Sequence, residues 1–382
     1  MRSVTKRILS ACLLLALAAC GDSSGGRSAD RPPTSPGYDF SAVDQRLQQF
    51  LDDSERYDGI SIVLVEELQG VVHQTVLGDH DSDTVVLLAS ASKMPSATLL
   101  MALDDDAQLD YDVTAPIERY LPWDGVYGDR TTEQLVSNTS GIPGLSALQI
   151  VGDYHGCQFY PEGTLEECGR TIYSTLLPGT VPPDTGFDYG GSQAHLAGAL
   201  AEQIANSSLR QAFDRYIATP CGLSVFQYGN TLRVLDSWTG SPDSLVGLDN
   251  PSVEGGAISN LQDYARLLLL HLRGGRCDGR QVIDEGSVSF MQVDRGGKHG
   301  TPYGLGWWIA PPEEGGLPTL FWDPGTFGSV AWLDTARRIG GFVAIDDYST
   351  YLAPEPRELV LEEIIPLVSR VVDEARGKSI AD

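Results

Sequence analysis

The run Ile60-Ser61-Ile62-Val63-Leu64-Val65 offers almost no polar face to water, so it must form a buried strand. Gly70 turns the chain, residues 71–77 supply a second strand, and the two make a hairpin. An amphipathic helix is predicted before it over 40–57. Phe40, Val43, Leu47, Phe50 and Leu51 share one face of that helix, and Ser41 is placed to cap it. After the hairpin, 85–88 is a short β-like run, and Ser90 opens a helix over 92–103 rich in Ala, Leu and Met. Between about 104 and 238 the pattern is mainly helical, broken by Pro- and Gly-bearing loops, with helices predicted over 132–136, 191–206 and 209–218. From Gly255 it becomes mixed again. A helix is predicted over 261–274, strands over 304–309, 327–333 and 341–346, and a last helix over 357–376, kinked at Pro366. The β-rich ends are expected to share one antiparallel sheet with helices packed on it, an α/β (α+β) fold interrupted by a helical insert. No internal repeat is found.

The N-terminus stands apart. Arg2, Lys6 and Arg7 precede an apolar run over 8–19, which is short for a membrane span and has the layout of an export signal. It ends Leu17-Ala18-Ala19-Cys20, similar to a bacterial lipobox, so residues 1–20 are expected to be a lipoprotein signal peptide, with Cys20 lipidated. Residues 21–39, rich in Ser, Gly, Pro, Asp and Arg, are expected to be a disordered tether. The folded domain is expected over 40–376, with the helical insert at about 104–238.

The net charge is −26. Loss of residues 1–20 removes three cations and no acid, taking it to −29. Nucleic acid is excluded as a partner, because phosphate binding needs a basic face. Besides Cys20, the exported chain keeps Cys157, Cys168, Cys221 and Cys277. In an oxidising compartment an even number suggests two disulfides, with Cys157–Cys168 the local pair and Cys221–Cys277 the remainder; four free buried thiols are the alternative. No metal spacing accompanies them, and no metal or other cofactor is expected.

Chemistry is concentrated at Ser90-Ala91-Ser92-Lys93. A serine hydroxyl is a weak nucleophile until its proton is taken. Residues three apart share a helix face, so the Lys93 amine can reach the Ser90 oxygen. Burial disfavours the ammonium form, which would leave Lys93 free to act as a base. Ser-x-x-Lys alone is a weak signal, and it recurs at Ser3-Val4-Thr5-Lys6. Its position between an apolar strand and an apolar helix sets the Ser90 copy apart. So does the scarcity of lysine, with 4 Lys against 22 Arg in the chain.

The order helix, hairpin, Ser-x-x-Lys helix resembles the serine β-lactamase and penicillin-binding protein superfamily, and most of all its class C β-lactamase-like branch of esterases and D-aminopeptidases. Further segments agree with that branch. They are Gln134-Leu135-Val136-Ser137-Asn138-Thr139-Ser140-Gly141-Ile142-Pro143, then 255–265 beginning Gly255-Gly256-Ala257, and Tyr303-Gly304-Leu305-Gly306-Trp307. Gly186-Phe187-Asp188-Tyr189-Gly190-Gly191 occupies the place of the Tyr-x-Asn motif. The resemblance implies that Tyr189 relays protons with Lys93, and that the backbone N–H groups of Ser90 and Thr326 form the oxyanion hole.

Two departures bear on the substrate. Gly191 stands where the resemblance implies an Asn that holds the lysine and a substrate amide. Asp323-Pro324-Gly325 stands where it implies a cation-Thr/Ser-Gly strand. Asp323 is therefore expected in the cleft, repelling a carboxylate, and Gly325 is expected to let substrate approach. Other candidates are weaker. His195 reads as a packed histidine, His299 as a possible cleft residue, and Asp104-Asp105-Asp106 as a solvated helix end. Ser140 lacks the nucleophile-elbow motif.

The expectation is an exported serine hydrolase acting through an acyl-enzyme on Ser90, of esterase or amidase type, on a small-molecule ester or amide. It is expected to be periplasmic or cell-surface, held to the membrane through Cys20. The alternatives are a β-lactamase or D-aminopeptidase/DD-carboxypeptidase, and a catalytically silent, lipid-anchored binding protein on the same fold.

Overall fold

The computed structural model describes residues 37–312, 316–346, 348 and 354–377. The expected signal peptide, Cys20 and all but the last three residues of the expected tether lie outside the described residues. No helix among the described residues is long and apolar enough to cross a membrane.

Helix α1 (Ser41–Asp52) leads into strands β1 (Gly59–Glu66) and β2 (Gly70–Gly78), the expected hairpin. Ser41 is the first helical residue rather than the cap, and its N–H is taken by Asp39 Oδ1. The short strand β3 (Val86–Leu87) precedes α2 (Lys93–Asp104). The insert then supplies α3 (Thr132–Val136), α4 (Leu148–His155), α5 (Leu165–Ser174), α6 (Gly191–Ala205), α7 (Leu209–Phe213) and α8 (Thr219–Cys221). Strands β4 (Gln227–Tyr228) and β5 (Ala257–Ser259) join β3 in a small sheet, ordered β3-β5-β4. After α9 (Leu261–Leu272) come β6 (Arg276–Cys277), β7 (Arg280–Gln281), α10 (Glu285–Met291) and the strands β8 (Trp308–Ile309), β9 (Leu320–Pro324), β10 (Val330–Asp334) and β11 (Ile339–Ala344). The C-terminal helix is α11 (Pro354–Glu358), a wide π-helical turn over Leu359–Ile364, and α12 (Ile365–Ala375). The π turn falls just ahead of Pro366, whose ring and missing N–H do not fit a regular helix interior.

The two β-rich ends of the fold share one sheet as expected. The main sheet is ordered β2-β1-β11-β10-β9-β8, and every neighbouring pair is antiparallel. Strand β1 lies against β11, with Ile62 opposite Val343. Its side chains alternate between two cores. Val63 and Val65 join the large core with α2 and α9, while Ile60, Ile62 and Leu64 join a second core with α1 and α12. Both faces of the sheet are therefore covered, which is why the 60–65 run carries so little polarity.

Two predicted strands are shorter than expected, and one observed strand of the main sheet was not predicted. The 304–309 strand is only Trp308–Ile309, the 327–333 strand starts at Val330, and β9 lacked a predicted strand boundary. Cys157–Cys168 and Cys221–Cys277 are both disulfide-bonded. The first clips the turn after α4 to α5, and the second ties α8 to β6.

Candidate active site

Ser90 does not lie on the α-helix itself. It sits in a 3-10 turn, Ala89–Ser92, that leads into α2, and Lys93 is the first α-helical residue. In a 3-10 turn residues three apart eclipse one another, so the two side chains are stacked by backbone geometry. Lys93 Nζ lies 3.1 Å from Ser90 Oγ. Ala89, just before the nucleophile candidate, has φ of 45°. A left-handed alanine is uncommon and strained, and the surrounding packing holds it there.

Lys93 is almost enclosed, with its side chain 6% exposed. Its nitrogen donates to the Glu254 carbonyl oxygen at 3.2 Å and lies 3.7 Å from Glu254 Oε2. It also lies 4.4 Å from the centre of the Tyr189 ring. Burial pushes the Lys93 amine down, but Tyr189, Glu254 and Asp323 push it up and prevail. Burial also raises the Tyr189 phenol, against the pull of Lys93 and of hydrogen bonds to Lys93 and Ser90. The net direction is upward for both groups. The expectation that burial alone leaves Lys93 neutral is corrected here, because its acidic neighbours outweigh desolvation.

Tyr189 is held by the 138–145 segment. Leu145 N–H donates to the Tyr189 carbonyl at 2.6 Å, and Asn138 Oδ1 accepts from Gly190 N–H at 3.2 Å. Gln193 adds a bond to the Asp188 carbonyl at 2.7 Å, and Ser140 Oγ donates to Gln193 at 2.5 Å. Ser140 is thereby a scaffold group, not a nucleophile. An aromatic wall continues outward from Tyr189 through Trp308 (ring centres 5.3 Å apart), Tyr303 and Phe187. Trp308 and Phe187 carried no sequence signal of their own.

Asp323 is not in the cleft. It is wholly buried and accepts from Met94 N–H at 3.1 Å, beneath the start of α2. Burial pushes its carboxyl well above the usual carboxylate range. On β9, Phe321 and Asp323 point into the core while Leu320, Trp322 and Pro324 are partly exposed, as strand alternation requires. Gly325 also differs in its reason. A Cβ there would lie 2.0 Å from the Leu88 carbonyl oxygen. The glycine lets the end of β9 close on the residue that leads into the turn carrying Ser90.

Gly191 opens α6, and the space beside it is taken. A Cβ on Gly191 would lie 1.8 Å from Glu254 Oε1 and 2.3 Å from Gln158 Oε1. Glu254 was passed over in the sequence; its only signals were its place before Gly255-Gly256 and the missing side chain at 191.

His195 and the 104–106 carboxyl groups are structural. His195 is buried against Asn250 at 3.0 Å and burial lowers it to about 4. His299 lies 3.7 Å from Asp184. Asp104 and Asp105 accept the backbone N–H groups of Val113 and Asp284, and Asp106 accepts the Tyr216 hydroxyl. Among the described residues no cluster of His, Cys, Asp or Glu could hold a metal.

Comparison with known proteins places this fold. The chain resembles a candidate beta-lactamase from Bacteroides dorei DSM 17855 at 25% identity and a TM-score of 0.70, covering 88% of this chain and 99% of that one. EstCE1, described as a hydrolase with promiscuous acyltransferase activity, shares the fold at 17% identity and a TM-score of 0.68, over 87% and 98% of the two chains. The unguisins hydrolase ungD of Aspergillus violaceofuscus (strain CBS 115571) is 25% identical over 242 residues, 54% of this chain but only 41% of that protein's length. A beta-lactamase/transpeptidase-like fold is what the two-ended antiparallel sheet and helical insert form together. The Beta-lactamase family model matches residues 43–360, from within α1 to the π-helical turn before α12, and the chain belongs to that family.

Proposed function

We propose that the protein is a serine hydrolase that works through an acyl-enzyme on Ser90, of esterase or amidase type. The carrying observation is Lys93 Nζ at 3.1 Å from Ser90 Oγ, with the Tyr189 phenol in the same pocket. In acylation Ser90 Oγ bonds to the substrate carbonyl carbon and gives its proton to the Tyr189–Lys93 pair. The pair then protonates the leaving oxygen or nitrogen as that bond breaks. The oxyanion accepts from the backbone N–H groups of Ser90 and Thr326. Water next attacks the ester, and the same pair returns a proton to Ser90. Because both groups are shifted upward at rest, the reactive form is the pair with one proton removed, and activity should rise with pH.

Glu254 supports the ester or amide reading. A carboxylate where the resemblance implies an Asn can accept but not donate a hydrogen bond, so it cannot hold the carbonyl of the additional substrate amide that the Asn would hold. The burial of Asp323 favours a second reading, β-lactam or D-aminoacyl peptide hydrolysis, since Asp323 does not repel a substrate carboxylate. Export and lipidation at Cys20 belong to the same proposal. Mass spectrometry of the processed N-terminus should show an acylated Cys20 that is lost in Cys20→Ala; an unmodified, uncleaved terminus would refute it.

Parallel labelling with a fluorophosphonate and a fluorescent penicillin, followed by adduct mapping, tests the reading. A Ser90 adduct with the first alone supports the esterase or amidase; adducts with both support the second reading. No adduct, with a Ser90→Ala control indistinguishable on p-nitrophenyl esters, supports a silent binding protein.

A further inference from the structure

We propose that Glu254 is a positioning residue for Lys93, seated there because position 191 is glycine, and that it holds the active-site amine as a salt-bridged ammonium. The proposal rests on the reading of Ser90, Lys93 and Tyr189 as an acyl-transfer site.

Glu254 meets Lys93 twice, through its backbone carbonyl at 3.2 Å and its carboxylate at 3.7 Å. The carbonyl contact depends only on the path of the backbone. The carboxylate contact depends on identity, because it puts a formal charge beside an amine whose side chain is 6% exposed, from a side chain itself 14% exposed. At that range and enclosure water screens the pair weakly. The seat is made by Gly191, where any side chain would need the volume that Glu254 Oε1 fills. Gly191 is also the first residue of a 15-residue helix, whose N-terminal field favours a carboxylate. Gln158 lies behind. Its amide N–H groups donate to the His155 carbonyl at 3.0 Å and to Ser192 Oγ at 2.8 Å, and its Oε1 fills the other side of the space that a Cβ at 191 would need. A neutral amide at 191 would have been a different solution to holding the lysine. Here the hold is ionic and comes from the loop before β5. The groups facing Lys93 are Ser90 in its own turn, Tyr189 before α6, Glu254 before β5, and Asp323 on β9.

The chain has four lysines, so Lys93 can be followed directly by lysine-labelled NMR of the full-length protein, assigned by loss of its signal in Lys93→Arg. Glu254→Gln keeps the shape and removes the charge. It should lower the Lys93 titration midpoint by about one to three pH units, the range expected for loss of an adjacent opposite charge. Gly191→Ala should move the midpoint the same way, because its Cβ displaces the carboxylate. Glu254→Asp, which draws the carboxylate back by one methylene, should give a smaller fall and serves if Glu254→Gln does not fold. Variants that melt like the parent with the midpoint unmoved would overturn the proposal; an unmoved Gly191→Ala alone would overturn the role of the glycine. Fluorophosphonate labelling of Ser90 is scored separately. A midpoint shift without labelling would defeat acyl transfer and leave the ion pair standing, and labelling without a shift would do the reverse.

Discussion

Two acidic side chains sit within electrostatic range of Lys93, and they are held in different ways. Glu254, on the loop before β5, faces the amine at 3.7 Å and keeps partial contact with solvent. Asp323, on β9, is sealed beneath α2 and spends its hydrogen bond on Met94 N–H. The sequence singles out Asp323, through its place in a family motif, and is silent about Glu254. The difference teaches that a motif position fixes where a backbone runs, while strand alternation decides which way a side chain points.

The comparison can be broken at several points. Lys93→Met removes the shared partner and should lower kcat/KM roughly 10⁴-fold on p-nitrophenyl esters, the scale seen when a member of a concerted catalytic unit is lost. A small effect would mean that neither carboxylate is near the working base. Tyr189→Phe should cost about 10²–10⁴-fold, as for loss of a general acid–base group. It should also flatten the rise of kcat/KM with pH, which is measured in a pH–rate profile.

Glu254→Gln should move the rising limb of that profile to lower pH. The sign follows from the ammonium: Glu254 helps raise Lys93, so its removal lets the pair lose its proton earlier. A limb moved to higher pH would contradict the ion pair. Asp323→Asn should have the smallest effect on function. It should change stability by about 1 kcal/mol, read by denaturant melts, and leave the ratio of rates on neutral and carboxylate-bearing esters as in the parent. A marked gain on the carboxylate-bearing ester would return Asp323 to the cleft.

Much of the framework was legible in the sequence because it depends on local periodicity. The unbroken apolar run of β1, the hairpin at Gly70 and the regular spacing of α6 and α9 each specify one element without outside help. Ser90 and Lys93 were legible because three residues of chain decide their contact. Tyr189 could be placed only by motif order, since its position depends on Leu145, Asn138 and Gln193 across the fold. Glu254 was illegible for a stronger reason. Its role arises from three segments meeting, and its clearest trace is an absence, the side chain that Gly191 lacks. Gly325 reads in the sequence as substrate access, whereas in the fold the Leu88 carbonyl takes the space that a Cβ there would need.

The central claim, that Ser90 carries the acyl group, is tested most directly by rapid mixing with a p-nitrophenyl ester followed by mass spectrometry of the quenched protein. The expected result is a burst of p-nitrophenol approaching one per enzyme, with the acyl mass on the peptide containing Ser90 and no burst from Ser90→Ala. An acyl mass on another residue, or a turnover that Ser90→Ala leaves intact, would contradict it.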